Sequence, residues 1–97
     1  MAIKFVVNYK VNDFEIWKEK FYSNSVARES AGIKESPFKT VDYPQVVCII
    51  GEAPSKPVLE GMFLSPKMRE PMKVAGVISK PNLTFLDGQH HSMAYFN

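Results

Sequence analysis

Aromatic residues recur along residues 12–32 at the spacing of one face of a helix. At about 100° per residue, Phe14, Trp17, Phe21 and Arg28 fall on one narrow stripe that Asn24 and Ser25 flank. The side chains that point away from it are Glu15, Ser23, Glu19, Glu29 and Ser30. A helix with a single apolar stripe cannot bury that stripe alone. We therefore expect this segment to pack on a broad apolar layer, with the Arg28 side chain on the packed side.

Both ends of this segment carry helix-terminating residues. Asn12 or Asp13 can cap the beginning, because a short polar side chain accepts a hydrogen bond from the free amides of the first turn. Gly32 can end the helix, because a residue without Cβ adopts the left-handed conformation easily. The sequence thus predicts one continuous helix over residues 12–32.

Four shorter segments have strand patterns, and they are residues 2–9, 34–42, 45–52 and 81–87. In the first segment both alternating faces are partly apolar, which predicts that each face is covered, one of them by another copy of the chain. The second and third form a predicted hairpin through residues 42–45. Pro37 predicts an edge position for the second strand, and the apolar run VVCII predicts a central third strand.

Two helical segments are expected between the third and fourth strands, over residues 58–64 and 66–75. Pro71 removes an amide donor from the second of these, so we predict a kink or break near Glu70. Gly76 is expected to end it. The methionines of this region are interpreted as core-filling side chains rather than soft metal ligands, because thioethers pack irregular gaps well.

The order of elements is β-α-β-β-α-β, which predicts an α+β ferredoxin-like fold with a four-stranded antiparallel sheet and helices on one face. With 97 residues and 45% hydrophobic content, the chain fits a single domain over residues 1–97. The tail, residues 88–97, contains Met93, Tyr95 and Phe96. We expect it to dock on the domain or on a neighbouring molecule, because these side chains are too apolar for a solvated end.

Charge and cysteine content narrow the function classes. The net charge of +2 is spread over 12 basic and 10 acidic residues without a basic block, which argues against nucleic-acid binding. Cys48 is the single cysteine and lies in an apolar run, so we interpret it as a small buried hydrophobic residue rather than a reactive thiol. No signal peptide or membrane span is evident, and a cytoplasmic location is expected.

Two motifs resemble the dimeric α+β barrel superfamily, near the antibiotic-biosynthesis-monooxygenase-like and cyclase-like small proteins. The first is VNDFEIWKEKF, residues 11–21, followed by Arg28 and Gly32, and it is similar to the pattern V-x-D/N-F/Y-x-x-W-K-x-x-F. The second is SPKMREPMKVAGVISKPNLTFL, residues 65–86. The resemblance implies two sheets packed face to face across a two-fold axis, with a pocket in each subunit between helices and sheet. Members include cofactor-free oxygenases, cyclases and proteins without known activity, so the fold does not select a chemistry.

Arg28 is the first candidate catalytic residue. If its guanidinium faces the pocket, it can hold a carboxylate or enolate oxygen of a ligand. The alternative is structural: Arg28 pairs with a carboxylate of the protein, such as Asp87, or reaches solvent. Asn8 is the second candidate, because oxygenase and haem-degrading relatives use an asparagine on the first strand. Its alternative role is to bridge backbone groups or to face the dimer partner.

The two histidines, His90 and His91, are adjacent in the tail. Neighbouring side chains of a strand point to opposite sides, so the pair is not expected to chelate a metal, and no metal site is predicted. His90 is the third catalytic candidate, as a general base if the tail folds over the pocket; otherwise both are surface residues. Haem-degrading relatives place a histidine where this chain has Met72 and Val74, which disfavours that activity.

The candidate ligand-binding residues are apolar or phenolic, and they are Trp17, Phe21, Tyr22, Met62 and Met72. Trp17 and Phe21 are core residues first, with pocket lining as a second role. Tyr9 or Tyr22 can donate a hydrogen bond to a ligand oxygen. We therefore expect a small homodimer that binds a hydrophobic, oxygen-bearing molecule, polyketide-like or fatty-acid-like, and that acts on it without a cofactor in a monooxygenase or cyclase reaction. The alternative is a non-catalytic ligand-binding or stress-associated dimer.

Overall fold

Four strands form one antiparallel sheet in the computed structural model, which describes residues 3–86. The strands are β1 (Ile3–Lys10), β2 (Lys34–Lys39), β3 (Val46–Ala53) and β4 (Asn82–Leu86). The helices are α1 (Phe14–Ser23), α2 (Ser25–Ser30), α3 (Lys56–Phe63) and α4 (Arg69–Val74), with a 3-10 turn at Pro66–Met68. The sheet order is β2-β3-β1-β4. This topology confirms the predicted α+β ferredoxin-like fold.

The positions of the strands in the sheet follow from their composition. β1 and β3 are the central pair, in register from Ile3 opposite Ala53 to Lys10 opposite Val46. β2 pairs only with β3 and contains Pro37, as expected of an edge strand that lacks one amide donor. The β2–β3 connection is closed by the Val46 amide, which donates to the carbonyl of Tyr43 at 2.8 Å.

The prediction of one continuous helix over residues 12–32 is wrong. Asp13 caps α1 by accepting from the amide of Ile16, but the helix stops at Ser23 and α2 starts at Ser25. The break at Asn24 has a local cause: the Ser23 hydroxyl and the Asn24 side-chain amide both donate to the carbonyl of Lys20, at 2.8 and 3.3 Å. Such side chains compete with the backbone for helical hydrogen bonds.

Glycines end the helical stretches as the sequence predicts. Gly32 has a φ of +81° and follows α2, and Gly76 has a φ of +90° and follows α4. The predicted kink near Glu70 lies slightly earlier, where the 3-10 turn gives way to α4 at Arg69. Pro71 is then the third residue of α4, and its missing amide belongs to the first turn, where no helical acceptor is available.

The two faces of the sheet differ in cover. The helices cover one face, and the buried core lies between them; its members from the sheet include Phe5, Val7, Tyr9, Val47 and Ile49. On the other face Phe38, Ile50 and Leu86 are about half exposed. β3 is therefore central but covered on one face only within a single chain, and Cys48, on the uncovered face, is only partly buried.

Parts of the sequence predictions lie outside the described residues. These are the tail, residues 88–97, with its histidines, and Asp87. Among the helices of residues 3–86, none has the length and apolar character needed to cross a membrane.

Candidate functional site

A cavity of about 220 Å³ lies between the helices and the covered face of the sheet. Its apolar lining consists chiefly of Trp17, Phe21, Met62, Phe63, Met72 and Val77. Polar atoms come from few residues, namely Tyr9, Lys20, Asn24 and Arg28. An apolar concavity with a small number of polar groups is the usual form of a small-molecule site.

The aromatic stripe of α1 forms one wall of this cavity. The Trp17 and Phe21 rings are stacked with centroids 4.9 Å apart, and Phe14 packs on Trp17 at 5.7 Å. Trp17 and Phe21 are buried core residues that also line the cavity, so they combine the core role with the pocket-lining role. Side chains held in such a stack lose little further freedom when a ligand binds.

Tyr9 places a phenol at the cavity. Its oxygen accepts a hydrogen bond from the indole nitrogen of Trp17 at 3.1 Å, which fixes the ring edge-on to Trp17. Burial raises the pKa of Tyr9 well above its ordinary value, and the Trp17 hydrogen bond and the Arg28 charge oppose this only in part. A phenol is neutral at physiological pH in any case, and burial lets Tyr9 keep its proton into the alkaline range as well. Within residues 3–86 no group accepts that proton, so Tyr9 can donate it to a ligand oxygen.

Arg28 reaches the cavity with its charge already balanced. Its Nε donates to Oε1 of Glu35 at 2.5 Å, and its Nη2 donates to the carbonyl oxygen of Phe21. The guanidinium carbon lies 3.6 Å from the centroid of the Phe21 ring. The side chains of Arg28 and Glu35 are only 7% and 8% exposed. Arg28 thus faces the pocket, as the stripe predicts, and also pairs with a protein carboxylate, as the alternative predicts.

Glu35 is a site residue that the sequence interpretation missed. It lies on the covered face of β2 opposite Gly51, where a Cβ would collide with the backbone of β2. The absence of that side chain lets Glu35 turn toward Arg28. The sequence does contain a signal for Glu35. The alternation of β2 places it on the same face as Pro37, and a carboxylate buried under helices requires a cation as its partner.

Of the remaining candidates, Met62 and Met72 share the cavity with Arg28, whereas Asn8 and Tyr22 do not. Asn8 lies on the uncovered face of the sheet, next to Cys48 and Asn82 in register, and does not line the cavity. Tyr22 is 55% exposed and packs edge-on against the outer side of Phe21. Met62 and Met72 line the cavity as expected. His90 lies outside the described residues.

The titratable groups that line the cavity are Tyr9, Lys20 and Arg28 among residues 3–86. The same part of the chain contains no cluster of three or more histidine, cysteine, aspartate or glutamate side chains that could hold a metal ion. The cavity can therefore donate hydrogen bonds and exclude water, and within the described residues it has no carboxylate or imidazole facing a ligand.

No protein-family model matches the sequence, and the curated proteins include no significant relative. Solved structures do share its fold. An antibiotic biosynthesis monooxygenase superimposes with a TM-score of 0.63 at 12% identity, over 91% of this chain and 98% of that one. SnoaB, a cofactor-independent oxygenase from Streptomyces nogalater, gives 0.65 at 11% identity, over 95% and 96%. Rv0793 from Mycobacterium tuberculosis gives 0.62 at 7% identity, over 95% and 99%.

At these identities the likeness concerns the fold alone. The chain has the fold of antibiotic-biosynthesis-monooxygenase-like proteins over nearly its whole length, which confirms the resemblance at that level. One fold supports many chemistries, so function has to be argued from the cavity.

Proposed function

We propose that the protein is a homodimer that binds a hydrophobic, oxygen-bearing small molecule in the cavity and transforms it without a cofactor, in a monooxygenase or cyclase type of reaction. The observation that carries the proposal is the apolar, aromatic-walled cavity with the neutral phenol of Tyr9 as a fixed hydrogen-bond donor. A polyketide-like or fatty-acid-like ligand has the matching chemistry, because it presents much apolar surface and isolated oxygens.

The size and opening of the cavity favour a compact ligand, or one part of a longer ligand. About 220 Å³ is small compared with pockets that enclose drug-sized molecules. Burial of a ring system against Trp17 and Phe21 supplies the affinity, and the single Tyr9 donor supplies the orientation. A ligand that carried no oxygen at this position would leave the Tyr9 proton buried without an acceptor.

The uncovered sheet face supports the homodimer. Phe38 and Ile50 are 52% and 47% exposed, and on the same face Cys48 lies opposite Phe38 and Val6 lies opposite Ile50. An antiparallel sheet can leave one face in water when that face is polar, but exposed apolar side chains on this face favour a partner that covers them. We propose that a second copy covers it. Phe38→Glu should then convert the dimer to monomer in light scattering, whereas Lys67→Glu on the exposed 3-10 turn should not; a wild-type monomer would refute the dimer.

Within the oxygenase proposal, Tyr9 would stabilise negative charge that develops on a ligand oxygen. Comparison with SnoaB, a cofactor-independent oxygenase of the same fold, favours this class of reaction. A base is also required. A guanidinium does not serve as a base and Tyr9 keeps its proton, so we propose the tail histidine His90 for this role. Arg28 would donate a hydrogen bond to the ligand from Nη1, because its Nη2 already donates to the carbonyl of Phe21.

The lack of a carboxylate or imidazole among the described cavity residues favours a second candidate, a non-catalytic ligand-binding dimer. The two candidates share the cavity and differ only in turnover. Turnover measured in His90→Ala, with His91→Ala as the matched control, separates them. Loss of turnover in His90→Ala alone supports the enzyme.

A ligand panel tests the proposal. Quinols, β-polyketones and medium-chain fatty acids are screened by thermal shift and calorimetry, and oxygen consumption and product formation are measured on every compound that binds. Tyr9→Phe should weaken binding about five- to tenfold, the value of one buried hydrogen bond, while Tyr22→Phe should not, because that ring is exposed. Equal behaviour of the two variants, or no binding by any class, would refute the proposed site.

A further inference from the structure

A second cavity, of about 350 Å³, lies beside the first. It is formed by the segment before the 3-10 turn, by α4 and by residues 77–81. Phe63, Met72 and Val77 line both cavities, so these side chains form a shared wall. A ligand in the first cavity is therefore separated from the second by the width of one side chain.

The second cavity differs from the first in its charge. Arg69, Lys73 and Lys80 all line it, and no carboxylate does so among residues 3–86. Arg69 and Lys73 are four residues apart, which places two like charges on one side of α4. All three residues are exposed, and cations that line one concavity without an anion create a local positive potential, which attracts an anionic group.

Two hydroxyl groups add hydrogen-bond donors to these cations. The Ser79 oxygen accepts from the amide of Lys10 at 2.8 Å, which fixes the residue and leaves its own proton for a further acceptor. Ser65 precedes the 3-10 turn, and its side chain makes no capping hydrogen bond. Both serines are half-buried and line the cavity. Hydroxyl and cationic donors together are the usual contacts of a carboxylate or phosphate.

We propose that the second cavity is a binding site for a carboxylate or phosphate group. The anionic end of a ligand was assigned to Arg28 by the sequence pattern, but Glu35 already balances that charge. The cations of the second cavity have no such partner in its lining. Where the anion is the end of the ligand held in the first cavity, the inference rests on the proposed function; a free anion would bind independently of it.

Matched probes separate these two sources. Inorganic phosphate and pyrophosphate test a free anion, and decanoate compared with decanol tests an anionic end on an apolar chain. Titrations by calorimetry and by NMR use the full chain, in wild type, in Lys73→Gln, in Lys73→Gln/Lys80→Gln, and in Lys67→Gln. Lys67 is exposed and lines neither cavity, so its variant controls for the loss of one positive charge.

If the site binds the anionic end of the ligand itself, decanoate should bind more tightly than decanol. Its affinity should then fall about three- to fivefold in Lys73→Gln and about tenfold or more in the double variant. Binding of phosphate or pyrophosphate with the same losses would assign it to a free anion, and would stand even if no apolar probe bound. In both cases Lys67→Gln should match wild type, and added salt should weaken binding. Decanol bound as tightly as decanoate, with no phosphate or pyrophosphate binding, would overturn the inference and leave the proposed function intact.

Discussion

Neighbouring residues of the same strand experience two different environments in this protein. Tyr9 and Ile49 lie under the helices and are almost completely buried, whereas Asn8 and Ile50, one position earlier or later, lie on the uncovered face. The strands and their hydrogen bonds are the same for both sets. The difference shows that cover by the helices, rather than the conformation of the strand, determines how far a side chain is buried.

On the covered face, burial changes the properties of charged and polar side chains. There burial raises the pKa of Tyr9, and the paired side chains of Arg28 and Glu35 are almost inaccessible to water. The uncovered face, in a single chain, remains accessible to water and combines apolar side chains such as Phe38 and Ile50 with polar ones such as Asn8. Variants that change one face at a time therefore test whether the two faces differ in burial as the structure shows.

The largest effect is expected from Arg28→Ala. Removal of the guanidinium leaves the Glu35 carboxylate buried without a cation, and loss of one member of a buried pair costs about 3–5 kcal/mol of unfolding free energy. Chemical denaturation measures this. Lys18→Ala is the control, because its pairing with Glu15 is exposed and should change stability by less than about 1 kcal/mol.

The double variant Arg28→Met/Glu35→Leu sharpens this test, because replacement of a whole buried pair by apolar residues is often neutral. It should regain most of the stability that Arg28→Ala loses. If Arg28→Ala were no more harmful than Lys18→Ala, the pair would not be buried in solution, and the covered face would be wetter than the structure shows.

The matched pair Ile49→Ala and Ile50→Ala compares the two faces on one strand. Ile49 is completely buried, so its truncation should lower the free energy of unfolding by about 2–5 kcal/mol. Ile50 is half exposed, so its truncation should cost about 1 kcal/mol or less in the monomer. Denaturation at low protein concentration measures both, and equal losses would contradict the assignment of the faces.

The fold was predictable because its determinants are short-range patterns. The order of strands and helices, the edge position of Pro37 and the glycine ends at Gly32 and Gly76 each follow from local backbone chemistry. The break at Asn24 was not predicted, since periodicity alone favours a continuous helix. It arises where two polar side chains compete for the carbonyl of Lys20.

The site was predictable only in part. The predicted stripe of Trp17, Phe21 and Arg28 does meet at one cavity, although Arg28 belongs to α2 and the other two to α1. Glu35 was missed because its partner is seven residues away on another element. The raised pKa of Tyr9 depends on tertiary burial, which no spacing in the sequence specifies.

A moderate effect is expected from Tyr9→Phe. The variant leaves the Trp17 indole N–H without its acceptor in a buried position, at a cost of about 1–3 kcal/mol near pH 7. It should also flatten the alkaline limb of the stability curve. The Tyr9 pKa is raised in the folded protein, so the contribution of its neutral form is complete below about pH 10 and is lost as pH rises further, when the unfolded chain ionises first.

Denaturation between pH 7 and 11 tests this difference, with Tyr22→Phe as the control for an exposed phenol. Wild type and Tyr22→Phe should lose stability more steeply above pH 10 than Tyr9→Phe does. Parallel curves for all three proteins would show that the Tyr9 phenol is accessible to water.

The smallest effect on ligand binding is expected from Asn8→Ala, one position from Tyr9 on the opposite face. Asn8 does not line the cavity, so ligand affinity should stay within about twofold of wild type, whereas Tyr9→Phe lowers it. Because Asn8 lies beside Cys48 and Asn82 on the uncovered face, any change should instead concern the dissociation constant of the proposed dimer. Calorimetry and sedimentation on the same sample measure the two quantities. A large loss of affinity with an unchanged dimer would show that the uncovered face takes part in ligand binding, and the strand's two faces would then share one function.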